Sequence, residues 1–307
     1  DDVGGVPELL ATLRAAGCTE TDLLVELRRL AFDAQAQGSD DDDPEHVEGI
    51  DEVALIKALA RLHGEKSLDW SRSLVELMRQ RTGLLAEREP GVFAFPHRTF
   101  QEYLAGVYLA VKSNFVTEAA KLAESGAFWR EVILLAVGYK VHSQGEYDQP
   151  VDLVDALCPK GRRRNWRLIR LAGDALLEMG PNRAERHPAG KESLRRVRQR
   201  LAALVEQGRL DARERARAGE ALGTLGDPRF DSTSLYLPCR YLGKLEPLLG
   251  FVEIPAGPFV IGEDTEMKVR EKFAFLEVDF IAVKGRATPT YLYALMGHAH
   301  VRETQAF

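Results

Sequence analysis

Apolar positions along the first half of the chain recur mostly at spacings of three and four, the period of amphipathic helices. Pro7 to Ala16 forms a short helical pattern closed by Gly17. Thr19 to Asp22 then caps a second helix carrying Leu23, Leu24, Leu27, Leu30 and Ala31. Ile50 to Leu62, with Val53, Ile56 and Ala60, and Leu68 to Arg81, with Leu74, Leu77 and Met78, read as two more helices, the latter stopped by Gly83. The period then shortens. Leu84 to Phe95 reads as two strands around a Pro90-Gly91 turn, and Pro96 biases Phe95 away from the helical region. Thr99, with Glu102 three residues on, has the capping-box spacing and predicts the start of another helix. Its apolar face would be Phe100, Tyr103, Leu104, Val107, Tyr108 and Val111, with His97 and Arg98 at the elbow. Helix, hairpin, helix is the ending of a winged helix.

From Phe115 to Leu225 the pattern stays helical. Trp129 to Ala136, Leu153 to Leu157, Leu168 to Met179, Leu194 to Val205 and Glu214 to Leu225 fall into successive helices, punctuated by Gly138, Pro159, Gly180-Pro181 and Gly208. The last of these, followed by Gly226-Asp-Pro-Arg229, looks like one HEAT-type helix before its turn. Such pairs stack into solenoids, although the period here is irregular. After Pro228 the composition changes. Leu249 to Gly262 reads as strand, turn, strand, Glu263 to Glu271 as a charged loop, and Phe273 to Ile281 as an alternating strand.

Two runs carry resemblances. Arg81-Thr-Gly-Leu-Leu85 followed by Phe95-Pro-His-Arg-Thr-Phe-Gln-Glu-Tyr-Leu-Ala105 resembles the winged-helix region of NACHT-type signal-transducing NTPases. That resemblance implies that His97 contacts the phosphate of bound ADP and holds a switch closed, with ATP or ADP as cofactor of the parent protein. The other reading of His97 is an elbow histidine bonded to backbone. Phe251-Val-Glu-Ile-Pro-Ala-Gly-Pro-Phe-Val-Ile-Gly262 resembles the opening of the formylglycine-generating (sulfatase-modifying) domain, a variant of the C-type lectin fold. The match covers roughly the last fifth of the chain. The likeness departs at Gly285-Arg-Ala-Thr288-Pro289, and no counterpart of that family's catalytic cysteines occurs in this sequence.

Composition narrows the function classes. At 307 residues and 45% hydrophobic content the chain can bury a sizeable core divided over two or three domains. A net charge of -6 does not announce nucleic acid, and Arg72, Arg79, Arg81 and Arg88 are offset by Asp69, Glu76, Glu87 and Glu89 where a DNA reader would need a basic face. No apolar run is long enough to span a bilayer and no secretory signal opens the chain, so a cytoplasmic location without membrane contact is expected. The chain opens on Asp1-Asp2-Val without Met, which reads as a piece of something longer.

Candidate chemistry is sparse. The phosphate-cradling pattern GxxxxGK[ST] is missing, and Gly190-Lys191-Glu-Ser193 lacks its upstream glycine and adjacent hydroxyl. Cys18, Cys158 and Cys239 lie far apart without CxxC spacing, as expected of buried or incidental thiols. The acidic run Gly38 to Glu45 lacks the spaced ligands of a calcium loop, and His298-Ala-His300 has no third metal ligand nearby. Two basic clusters, Lys160 to Arg164 with Arg167 and Arg170, and Lys191 with Arg195, Arg196, Arg198 and Arg200, read as solvated helix faces, with a nucleic-acid or phosphate surface as the alternative.

The expectation is therefore a mainly α chain with no catalysis of its own. Residues 1-18 would end an NTPase-associated helical region, 19-112 form the winged-helix switch, 113-229 an irregular HEAT-like helical domain, and 230-307 a partial, β-rich formylglycine-enzyme-like domain with exposed edges. Its partner would be the NTPase module of the parent chain, with self-association on activation. The competing functions are a formylglycine-generating enzyme fragment and a helical scaffold for protein or RNA.

Overall fold

The computed structural model describes residues 5–38, 49–79, 83–161, 165–231, 237–238, 240–241, 244–245, 248, 260–282 and 288–303. The chain divides into two compact units, Asp1–Lys244 and Leu245–Phe307.

The first unit opens with α1 (Gly5–Ala15) and α2 (Glu20–Gln35). Gly17, at φ +72°, makes the left-handed turn between them, and Thr19 and Asp22 close the capping box reciprocally: Asp22 N–H donates to Thr19 Oγ1 at 3.2 Å and Thr19 N–H to Asp22 Oδ2 at 2.8 Å. The acidic run from Ser39 to Glu45 lies outside the described residues. A two-residue strand β1 (Ile50–Asp51) leads into α3 (Glu52–Leu59), a 3₁₀ turn (Ala60–Leu62) and α4 (Leu68–Leu77). The hairpin β2 (Ala86–Glu89) and β3 (Val92–Ala94) follows, turning on Gly91 at φ +75°.

These strands form one antiparallel sheet in the order β1-β3-β2, with Ile50 opposite Phe93 and Asp51 opposite Val92. Helix, strand, two helices and a hairpin whose last strand lies between the other two is the winged helix-turn-helix topology. The helix expected from Ile50 therefore begins two residues later. Ile50 pairs in the sheet, Asp51 N-caps α3 by accepting the Ala54 N–H at 3.1 Å, and Val53 is 55% exposed instead of facing the core. A two-residue strand has no period of its own, so the helical spacing of Ile50 to Val53 and Ile56 concealed it. Elsewhere α1 is tied to α4 by Trp70, whose indole N–H donates to the Thr12 carbonyl at 3.3 Å.

Behind β3 the chain enters α5 (Arg98–Ala110), the helix around which the unit packs. It lies against α2 on one side and α7 (Arg130–Gly138) on the other. Leu104, Ala105, Val107, Leu109 and Ala110 are buried, so burial extends well round the helix; Tyr103 and Val111, expected on the apolar face, are exposed. Gly106 permits the close approach to α7: a Cβ there would lie 3.0 Å from the Val132 carbonyl oxygen and 3.2 Å from the Ala136 nitrogen. Rings seal the junction, with Phe32 of α2 centred 5.2 Å from Tyr108 and 5.1 Å from Trp129. Beside them Gln101 donates to Gln35, which donates to the Phe128 carbonyl, giving two buried amides partners.

The remaining helices are α6 (Phe115–Ser125), α8 (Asp148–Leu157), α9 (Trp166–Met179), α10 (Pro181–Arg186), α11 (Pro188–Glu206) and α12 (Ala212–Leu225), with a π-helical stretch Tyr139–Gln144 after α7. Helix α9 is central: α7, α8, α10, α11 and α12 all pack on it. The buried residues of α1 to α12 form one continuous apolar cluster. Two short strands, β4 (Phe230–Asp231) and β5 (Leu237–Pro238), pair after α12.

In the second unit β6 (Val260–Gly262), α13 (Glu263–Val269), β7 (Phe273–Ile281) and β8 (Thr290–His298) build an antiparallel sheet in the order β6-β8-β7. The expected charged loop at Glu263 to Glu271 is largely the helix α13. Its early Glu263, Asp264 and Glu266 suit a helix N-terminus, and Arg270 pairs with Glu266 at 2.7 Å. Of the run from Leu249 to Gly262, residues 249–259 lie outside the described residues. Leu276, Val278 and Phe280 of β7 are exposed. Among the described residues no helix is long and apolar enough to cross a membrane.

Candidate functional site

The elbow between β3 and α5 is built from its neighbours. Phe93, Ala94 and Phe95 are buried, and Phe95 anchors the strand end in the core, its ring centred 6.0 Å edge-on from Phe100. Pro96 follows, and its carbonyl accepts a hydrogen bond from Arg88 of β2 at 3.2 Å, pinning the hairpin to the elbow. Arg79 and Glu87 pair across the hairpin base, and Glu87 also accepts the Gly91 N–H at 3.1 Å; these bonds hold its carboxyl below the usual range.

His97 is the N-cap residue of α5, in extended conformation at φ −138° and ψ 143°. Its carbonyl accepts the Phe100 and Gln101 N–H groups, while its imidazole caps nothing and is exposed. The expected capping box is not formed. Thr99 lies inside the helix, which begins at Arg98, and Glu102 instead accepts from Arg98 Nε at 3.0 Å. Pro96 and the extended His97 start the helix two residues earlier than the Thr99-Glu102 spacing suggests. The positive end of a 13-residue helix dipole and an exposed imidazole thus meet at one point on the surface, a combination suited to an oxyanion.

Residues 12–109 match the family model of the winged helix-turn-helix domain C-terminal to NACHT. This part of the chain is similar to the winged helix that follows NACHT. No curated protein and no solved structure matches the chain. The matched region takes in α2 to α4, the three-stranded sheet and nearly all of α5, His97 included.

The other sequence candidates are dispersed. Arg81 and Thr82 of the NACHT-like run, Arg162 to Arg164 of the first basic cluster and Cys239 lie outside the described residues. Within the second cluster, Arg195 pairs with Glu192, Arg196 with Asp155 and the Cys158 carbonyl, Arg198 with the Leu225 carbonyl, and Arg200 with the Gly161 carbonyl. Arg196, Arg198 and Arg200 fasten α11 to its neighbours, whereas Arg195 pairs within α11 at the surface, so the cluster is largely structural. Gly190 and Lys191 sit in the first turn of α11, where the Gly190 N–H donates to His187 Nδ1, so they form no phosphate loop. Cys18 and Cys158 are buried, and burial pushes both thiols up, away from the reactive thiolate. His298 and His300 stack with ring centroids 6.2 Å apart, and among the described residues no group of three His, Cys, Asp or Glu side chains is placed to hold a metal.

Sequence reasoning missed an ion-pair chain that crosses α7, α9 and α12. Arg130 of α7 bonds Glu131 and, at 3.0 Å, Asp174 of α9; Arg170 of α9 lies 3.9 Å from Asp174 and 2.9 Å from Glu214 of α12; Arg217 approaches Glu214 at 3.6 Å. Glu102, on α5, is buried, and that burial raises its carboxyl, with Glu131 adding to the rise and Arg98 opposing it. Arg170–Asp174 and Glu214–Arg217 have helical spacing, but the links between α7, α9 and α12 join residues far apart in sequence, and no local spacing reveals those.

Proposed function

We propose that the chain is the regulatory part of a NACHT-type signalling NTPase. In this reading the winged helix is the nucleotide-responsive switch, and the helices from α6 to α12 relay its state toward the C-terminal unit. His97 donates a hydrogen bond to a phosphate oxygen of ADP held by the NTPase module of the parent chain. The observation that carries the proposal is the place of His97 within the NACHT-associated winged helix: exposed, at the N-cap of α5 and unused as a cap. ADP, not the chain alone, completes the closed state, and self-association follows its release. The sequence likeness of Phe251 to Gly262 to the start of a formylglycine-generating domain is the basis for a sensor or effector role of the second unit.

A single substitution tests the switch. In a parent carrying the NTPase module, His97→Ala removes a phosphate hydrogen bond worth on the order of 1–3 kcal/mol, so ADP should dissociate several-fold to a hundredfold faster. ADP content after purification and the rate of fluorescent-ADP release report it. Unchanged retention and release would return His97 to a purely structural place at the elbow.

A further inference from the structure

A cleft of about 420 Å³ opens where the first turns of α5 meet α7, α9 and α12. Five guanidinium groups line it: Arg98 of α5, Arg130 of α7, Arg167 and Arg170 of α9, and Arg217 of α12. Its walls also carry Phe128, Leu168, Leu171 and Leu210, so the charges stand on a partly apolar surface where their fields are less screened than in bulk water.

Carboxylates line the cleft too: Glu102 pairs with Arg98 and Glu131 with Arg130, while two further carboxylates are each shared between guanidinium groups. Asp174 serves both Arg130 and Arg170, and Glu214 serves both Arg170 and Arg217. Asp211, at the rim, spends its carboxylate on capping α12, where it accepts the Glu214 N–H at 2.9 Å. The clearest shortage is at Arg170. The residue is only 7% exposed, yet among the described residues its Nη1 has no hydrogen-bond acceptor, and such a buried donor is costly. Three helices therefore hold Arg130, Arg170 and Arg217 around Glu131, Asp174 and Glu214, with the Arg170 Nη1 donor left over among the described residues.

We propose that this cleft binds a small multivalent phosphate anion, of the size and charge of pyrophosphate. Guanidinium forks converging from four helices suit tetrahedral groups with oxygens on every side better than a single planar carboxylate. Bound there, the anion joins the first turns of α5 to α9 and α12 and clamps the winged helix to the helical segment. The proposal rests on the cleft alone and does not depend on His97 or on the nucleotide reading.

The full chain is titrated calorimetrically with inorganic pyrophosphate at physiological ionic strength, with citrate as the carboxylate counterpart. Saturable binding of pyrophosphate, weaker binding of citrate, and affinity reduced about tenfold or more in Arg167→Gln/Arg217→Gln are expected. Arg72→Gln/Arg79→Gln, which removes two arginines that pair with carboxylates away from the cleft, is the charge-matched control and should bind as the wild type does. Circular dichroism establishes that each variant is folded; should the double variant unfold, the single Arg217→Gln replaces it with the same expected direction. Absence of saturable binding, citrate binding as tight as pyrophosphate, or equal loss in Arg72→Gln/Arg79→Gln and the cleft variant would each overturn the proposal.

Discussion

Two helix-interior glycines make opposite predictions from the same substitution. At Gly106 in α5, an added Cβ would lie 3.0 Å from both the Leu135 Cβ and the Val132 carbonyl oxygen and 3.2 Å from the Ala136 nitrogen. Two of these neighbours are backbone atoms of α7, which cannot rotate away. Gly-to-Ala in a helix gains about 0.5–1 kcal/mol of backbone preference, whereas forcing volume into a packed contact costs about 1–3 kcal/mol. The steric cost is therefore expected to win: Gly106→Ala should lose on the order of 1 kcal/mol, and Gly106→Val more, since it adds two methyl groups and gains less helix preference. At Gly219 in α12 a Cβ meets nothing within 4 Å, so Gly219→Ala should gain about 0.5–1 kcal/mol. Urea unfolding followed by far-UV circular dichroism measures all three. A stabilised Gly106→Ala, or Gly106→Val no worse than Gly219→Ala, would refute the close α5–α7 approach.

Three further outcomes follow from named contacts. Thr19→Ala removes the side-chain half of the α2 capping box and should lower stability by about 1 kcal/mol in the same assay. Phe95→Ala empties a fully buried site behind the elbow and should cost about 3–5 kcal/mol, read as a lower urea midpoint. Burial raises the folded pKa of Glu102 above its unfolded value, so its contribution is present in full below the unfolded pKa and is lost as pH rises through the folded one. Glu102→Gln, which resembles the protonated form, should therefore gain relative to the wild type between acidic and neutral pH. A relative loss over that range would mean that the Arg98 pair outweighs desolvation.

Much of the winged helix was legible because its helices and hairpin are local. The α2 capping box, the Pro90-Gly91 turn and the Phe95 to Leu104 run each state their structure within a few residues. Ile50 was misread because a two-residue strand is defined only by its partners, Val92 and Phe93, forty residues away in sequence. Thr99 was misread because a capping-box spacing competes with Pro96 and an extended His97, and the latter pair sets the helix start. Around α5, small residues permit tight packing on two neighbours, so Tyr103 and Val111 are left outside a face that period alone would assign to them. The charged cleft was the least legible feature, since Arg98, Arg130, Arg170 and Arg217 meet only after α5, α7, α9 and α12 have packed.

The central claim is that α5 carries the state of the elbow at His97 into the helical segment through its contact with α7. Hydrogen exchange with mass spectrometry on a parent containing the NTPase module, compared with and without ADP, tests it directly. The account predicts that ADP slows exchange in peptides covering His97 to Ala110 and also in those covering Arg130 to Gly138, and that His97→Ala abolishes both changes. Protection confined to the NTPase module, with α5 and α7 exchanging identically in both states, would contradict it.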